Sequence, residues 1–250
     1  MLLLGNELLT GHTRDANGQH IASRLQALGH RVVRILVLPD DEDVVVHELT
    51  RAFALAPLVV SSGGLGPTHD DRTTGAVARF VRVPLVVDAA ALRELLARYR
   101  AEAAEGRRPS PEATDASRKM VTVPAGAVVL PNSAGHAVGY VLDVGDEGRL
   151  VVLPGVPREL TAVWEEAEKV LPRGDVDAVV ELDVMLPESL FAAPLEEVAR
   201  THAGLEVGSY PRAGEARVTV RFRGADEKDA RAAAAEFAAR LPADKVRVRS

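Results

Sequence analysis

The chain has 250 residues and no cysteine, which excludes disulfides, thiolate metal sites and a cysteine nucleophile. Aromatic residues make up 4% of it, so its core must be built mainly from the valine, leucine and alanine within its 47% hydrophobic content. No apolar run approaches the ~20 residues needed to cross a bilayer. Met1–Gly5 has neither the basic segment nor the cleavage site of a secretion signal. A cytoplasmic protein is the expectation. Positive charge is in deficit, and a net charge of −6 argues against nucleic acid or an anionic membrane as partner. The chain also lacks Gly-x-x-x-x-Gly-Lys-[Ser/Thr], His-Glu-x-x-His and Gly-x-Ser-x-Gly, the marks of a nucleotide-triphosphate loop, a zinc helix and a nucleophile elbow. Its seven histidines are scattered and form no helical metal pair.

What is present has a clear order. Residues 1–170 alternate short apolar strands with amphipathic helices, the pattern of an α/β layer fold. Expected strands are Met1–Leu4, Arg31–Leu38, Leu58–Val60 and Ala127–Leu130, with a hairpin of Val138–Val144 and Arg149–Leu153 around Gly145–Gly148. Expected helices are Gly18–Leu28, Asp40–Ala54, Ala89–Glu105 and Arg158–Leu171, with another after the glycine loop carrying Ala76, Val77 and Phe80. Gly106–Ser117 reads as an exposed loop, and Trp164 as core packing. After the linker Leu171–Asp175 the rhythm changes. Ala178–Leu186, Leu205–Tyr210, Ala216–Arg223 and Lys245–Arg249 read as strands, Pro187–His202 and Asp226–Leu241 as helices. That order is βαββαβ, a ferredoxin-like α+β domain over 175–250.

The most informative stretch runs from Leu58 to Thr73, Leu-Val-Val-Ser-Ser-Gly-Gly-Leu-Gly-Pro-Thr-His-Asp-Asp-Arg-Thr. A buried strand enters a turn where Gly63, Gly64 and Gly66 leave backbone N–H groups open to a ligand, and a helix follows. Strand, glycine turn and helix together suit a phosphate. Asp70 and Asp71 would repel a bare anion, so they imply a bridging metal, a general base or a ligand hydroxyl. The alternative is a tight turn in which Thr68 and Asp71 cap the next helix. Asp40 likewise reads either as a ligand-side carboxylate after a strand or as the cap of Asp41–Ala54. Glu7 and Asn17 lie in the first βα loop, where Glu7 is either a hydrogen-bonding partner of a ribose or pterin edge or a solvated side chain.

The string from Ser62 to Thr73 resembles the signature loop of the CinA (competence/damage-inducible protein A) family and, more widely, the molybdopterin-binding fold. Further matches are Gly5–Gly11 with Asp15-Ala-Asn17, Leu38–Asp43, Arg118-Lys119, Leu130-Pro-Asn132, Leu153-Pro-Gly155 with Pro157 and Glu159, and Val207–Pro211. The resemblance implies a three-layer molybdopterin-binding-type domain over 1–170 with a mostly parallel sheet. It also implies a homo-oligomer, and the family's C-terminal NMN deamidase domain is not expected here. It implies binding of a nucleotide or pterin phosphate, through Ser62, Gly63, Gly64, Gly66, Thr68, Glu7, Asn17, Asn132, Gly135 and Gly155. Metal-dependent pyrophosphatase chemistry on ADP-ribose would then fall to Asp71 and Asp40 as ligands of a divalent ion, with Asp70 in support. Molybdopterin binding or adenylylation, and a non-catalytic binding or assembly module, are the alternatives. The chain departs from the pattern at Ser133, Val138 and Val156, each in place of proline, and at His136 in place of threonine.

Overall fold

The structure, a computed structural model, describes residues 1–212, 214–215 and 217–249. The chain divides into two compact units, Met1–Gln26 with Arg31–Pro172, and Ala27–His30 with Arg173 onward. In the first, the elements run β1 (Leu2–Leu4), α1 (Asn6–Leu9), α2 (Asn17–Ala27), β2 (Leu36–Leu38), α3 (Glu42–Phe53), β3 (Leu58–Ser62), α4 (Thr73–Val81), β4 (Leu85–Val87) and α5 (Ala89–Ala104). They continue with α6 (Asp115–Lys119), β5 (Thr122–Pro124), β6 (Val128–Leu130), β7 (Gly139–Val144), β8 (Gly148–Leu153) and α7 (Pro157–Ala167).

Six strands form one sheet in the order β2-β1-β3-β8-β7-β6. The first four are mutually parallel, and β7 and β6 pair antiparallel. Strands covered on both sides need no polar face, which is why β1 and Leu150–Leu153 of β8 are wholly apolar; in β3, Ser61 and Ser62 are buried along with Val59 and Val60. Leu2, Leu4, Leu150 and Val152 share a core with Val45 and Leu49 of α3, Val77 of α4 and Leu95 of α5. The alternate residues Leu3, Val151 and Leu153 are just as buried, as are Ile21 and Leu25 of α2 and Leu160, Val163 and Trp164 of α7. Helices therefore cover both sheet faces, and Trp164 is core. The Nε1–H of Trp164 donates to Glu168.

Several local expectations need correction. The strand expected at Arg31–Leu38 is only Leu36–Leu38, because β1 offers three residues for pairing, Leu2↔Leu36 to Leu4↔Leu38. Val33 and Ile35, left without a partner strand, are exposed. The Gly106–Ser117 stretch ends in helix: Thr114 caps α6 by accepting from Ser117 N–H at 3.1 Å. Strands β4 and β5 were not foreseen. They form a separate antiparallel pair outside the main sheet. Asp71 and Thr68 do not cap α4, whose N-cap is Arg72 with no side-chain hydrogen bond.

The second unit contains β9 (Ala178–Val184), α8 (Ala192–Thr201), β10 (Glu206–Pro211), β11 (Val218–Gly224), α9 (Glu227–Ala239) and β12 (Val246–Val248). Its sheet is antiparallel throughout with order β10-β11-β9-β12, the ferredoxin-like arrangement. Ala216, expected to open a strand, and Ser250 lie outside the described residues. Phe191, Phe222 and Phe237 fill the core, and Ala230, Ala233 and Ala234 bring α9 close to the sheet. The arginines of β11 each meet a carboxylate, Arg221 with Glu181 at 2.6 Å and Arg223 with Asp177 at 2.8 Å.

Two adjacent aspartates part company at the start of α3. Asp41 is the N-cap, accepting from Asp43 and Val44 N–H at 2.9 and 3.1 Å, while Asp40 takes no part in capping. Replacing an N-cap aspartate by alanine removes about 0.5–2 kcal/mol of stability. Asp41→Ala should lower the melting temperature accordingly and leave ligand affinity unchanged, as thermal melts and titrations on one preparation will show.

Candidate functional site

The site is assembled from the loops at the C-terminal ends of β1, β2, β3 and β8. At the end of β3, Gly63 N–H donates to Leu153 O at 3.0 Å, so this amide belongs to the sheet and is not available to a ligand as expected. Gly64 has φ +68, and a Cβ there would lie 2.2 Å from Thr73 Oγ1, so only glycine fits. Buried Thr73 then folds the loop onto α4: its hydroxyl donates to Gly63 O at 2.7 Å and its N–H to Gly64 O at 3.2 Å. Among the described residues, no acceptor takes up the N–H of Gly64, Leu65 or Gly66. Three free amides remain for a ligand.

The loop closes through Thr68. Its N–H donates to Asp71 Oδ2 at 2.9 Å, and its hydroxyl lies 2.5 Å from both Asp71 Oδ2 and Asp70 Oδ1. That hydroxyl, with Lys119 adding a smaller effect, holds the Asp70 carboxyl below the usual carboxylate range. The ammonium of Lys119 donates to Thr68 O. Asp40 arrives from β2, where its Oδ2 accepts from Asn6 N–H at 2.9 Å. Burial pushes the Asp40 carboxyl up, and Glu7, Asp70 and Asp71 add to the rise against the opposing Asn6 hydrogen bond.

These groups face a cleft of about 480 Å³, within the range of small-molecule sites. Glu7, Asp40, Asp70, Asp71, Gly63, Gly64, Gly66, Thr68 and Gly155 all line it. Four other expected ligand residues do not, and each has a structural task. Ser62 is buried and donates to Pro154 O at 2.9 Å. Asn17 donates to Ser62 Oγ at 3.1 Å and to Gly155 O at 2.7 Å, tying the first βα loop to the other two. Buried Asn132 uses its amide on Ala137 O, Glu159 Oε2 and Ala134 N–H, at 2.8, 2.7 and 3.0 Å. Gly135 makes room for Glu159, because a Cβ there would lie 2.1 Å from that carboxyl carbon.

Glu159, His136 and Lys119 were not among the expected ligand residues, and all three flank the glycine loop or line its cleft. Glu159 and Lys119 lie in family-like motifs, which was the signal available. His136 carries an imidazole whose Nε2 lies 3.1 Å from Glu102 Oε1 and whose ring stands edge-on to Tyr99 at 5.3 Å.

Among the described residues, no three His, Asp or Glu side chains converge to hold a metal alone. Asp40 and Asp71, which line the same cleft, are the two carboxylates that could share a hard cation, whose other ligands would then be water or phosphate oxygens.

Residues 1–173 match the family model described as a probable molybdopterin binding domain, and residues 178–249 match the middle domain of FAD synthase. A protein of Caldivirga maquilingensis is 34% identical over 244 residues, covering 92% of this chain and 90% of its own. One of Pyrobaculum aerophilum is 38% identical over 221 residues, covering 86% and 80%. The crystal structure of the protein CinA from Thermoplasma acidophilum matches with TM-score 0.58 and 33% identity, over 67% of this chain and 94% of that one. The chain therefore belongs to the family of probable molybdopterin-binding domains, resembles the Thermoplasma CinA structure over about two thirds of its length, and carries a second domain like the middle domain of FAD synthase.

Proposed function

We propose that the protein is a metal-dependent hydrolase of diphosphates of the ADP-ribose class. One observation carries this reading: Asp40 and Asp71, from two different βα loops, share a cleft with a glycine loop that keeps three amides unpaired. Asp40 is free for the task because Asp41 does the capping. In this reading the N–H groups of Gly64, Leu65 and Gly66 take phosphate oxygens. Thr68 holds Asp71 in place and Asn6 N–H holds Asp40, so both carboxylates are oriented before a ligand arrives. Asp40 and Asp71 would hold a divalent ion, which would supply neutralisation of the phosphate charge and a more acidic water. Hydrolysis would add water across the P–O–P bridge and release two phosphomonoesters. The cleft's apolar wall, Leu65, Met120, Ala137 and Val156, suits the heterocycle of the ligand.

Molybdopterin binding is the second reading, favoured by the name of the family itself. The Gly-Gly-Leu-Gly form of the loop with paired Asp70 and Asp71 supports the hydrolase reading over adenylylation.

Asp71→Asn keeps the side-chain shape and removes the charge. It should lower ADP-ribose turnover by ~10²–10³-fold and abolish metal dependence, with little change in melting temperature. Wild-type turnover in this variant would remove Asp71 from the chemistry.

Asp40 predicts the opposite sign for stability. Its folded-state carboxyl titrates above its unfolded value, so ionisation opposes folding: its contribution is present at low pH and lost as pH rises through that raised value. In chelator at pH 7, Asp40→Asn should melt above wild type, with the gap closing as pH falls below the ordinary carboxylate range. Added Mg²⁺ or Mn²⁺ should raise the melting temperature of wild type and not of the variant. A variant that melts lower at pH 7 and still responds to metal would show that Asp40 is structural.

A further inference from the structure

The glycine loop has a second side. Behind the cleft, a groove of about 420 Å³ shares Gly64, Leu65, Gly66 and Asp71 as a common wall. The charge on the two sides differs. Among the described residues no lysine or arginine lines the cleft, whereas His69, Arg72 and Lys119 all line the groove. Among the described residues the partners of Arg72 and Lys119 are backbone carbonyls, and Lys119 acts on the Asp70 carboxylate only from beyond ion-pair distance. Each is anchored. Lys119 donates one N–H of its ammonium to Thr68 O, and Arg72 donates its Nε–H to His69 O at 3.3 Å. An ammonium keeps two further donors and a guanidinium its four terminal N–H groups. The two acids on this side are already drawn elsewhere. Glu42 lies 4.0 Å from Arg79, and Asp71 Oδ2 accepts both donors of Thr68.

We propose that this groove is a second anion subsite, in which Lys119 and Arg72 bind a phosphate group without a metal. Its ligand class is a phosphate or the far phosphoryl group of a diphosphate. The inference rests on the glycine loop being a phosphate site, as in the reading above, and extends it: the shared loop carries a diphosphate with one end over the carboxylates and the other over the cations. Such a division lets a metal serve only the carboxylate side. It also resolves how a cleft lined by Glu7, Asp40, Asp70, Asp71 and Glu159 accepts an anionic ligand.

The test is calorimetric titration of inorganic pyrophosphate in excess chelator. The wild-type protein should bind, and more weakly as salt rises. Lys119→Ala and Arg72→Ala should each weaken binding by about tenfold or more, the loss expected for one charge-assisted hydrogen bond. Lys119→Arg should restore most of it, and unchanged melting curves will show that each variant is folded. Wild-type affinity in both alanine variants, or no metal-free binding by the wild-type protein, overturns the subsite. Metal-dependent ADP-ribose turnover on the same preparations separates the two ideas. Turnover without metal-free binding removes the subsite and leaves the hydrolase, and metal-free binding lost in Lys119→Ala without turnover does the reverse.

Discussion

One hydrogen bond, from Gly63 N–H to Leu153 O, sets where the chain leaves the sheet. It extends the β3–β8 ladder past Ser62, so the loop departs beside the Leu153–Gly155 turn and not short of it. Ser62 and Asn17 then lock this edge, through Pro154 O and Gly155 O. Three successive parallel strands thus end in loops fixed against each other, the place where open α/β sheets bind ligands. Thr73 completes the arrangement by pulling the loop down onto α4, which leaves the amides between Gly64 and Gly66 unpaired.

Those rigid loops hold an electrostatically unfavourable arrangement. Burial raises the Asp40 carboxyl, and the carboxylates of Glu7, Asp70 and Asp71 raise it further. A fold selected for stability alone gains nothing from this, since displaced pKa values cluster at functional sites. The supporting polar groups point the same way. Asn6 N–H, Thr68 and Asn132 each orient a carboxylate, namely Asp40, Asp71 and Glu159. Arg72 and Lys119 line the neighbouring groove, and Lys119 also favours the charged form of Asp70.

Much of the architecture was legible in the residue pattern. Apolar periodicity located the longer helices, because that signal is local, while the short α1 and α6 were missed. Boundaries failed where pairing decided them: the strand at Arg31–Leu38 shrank to the length of its neighbour β1, and β4 and β5, which pair with each other and not with the main sheet, were not foreseen. The caps failed for a related reason. Asp40, Asp41, Thr68 and Asp71 are all able to cap a helix, and only the bond each makes in the folded chain tells them apart.

Glycine spacing, paired aspartates and strand order by themselves determined that a glycine loop leaves the C-terminal end of a strand in a mainly parallel sheet. They do so because backbone freedom and apolar burial are properties of short segments. The tertiary structure alone decided that Asn132 and Gly135 serve Glu159, that Ser62 and Asn17 tie loops together, and that Lys119 comes to rest on Thr68 O, 51 residues away in the chain. Such roles depend on contacts between distant residues, and an amide or an ammonium has the same identity in sequence whether it meets a ligand or another loop.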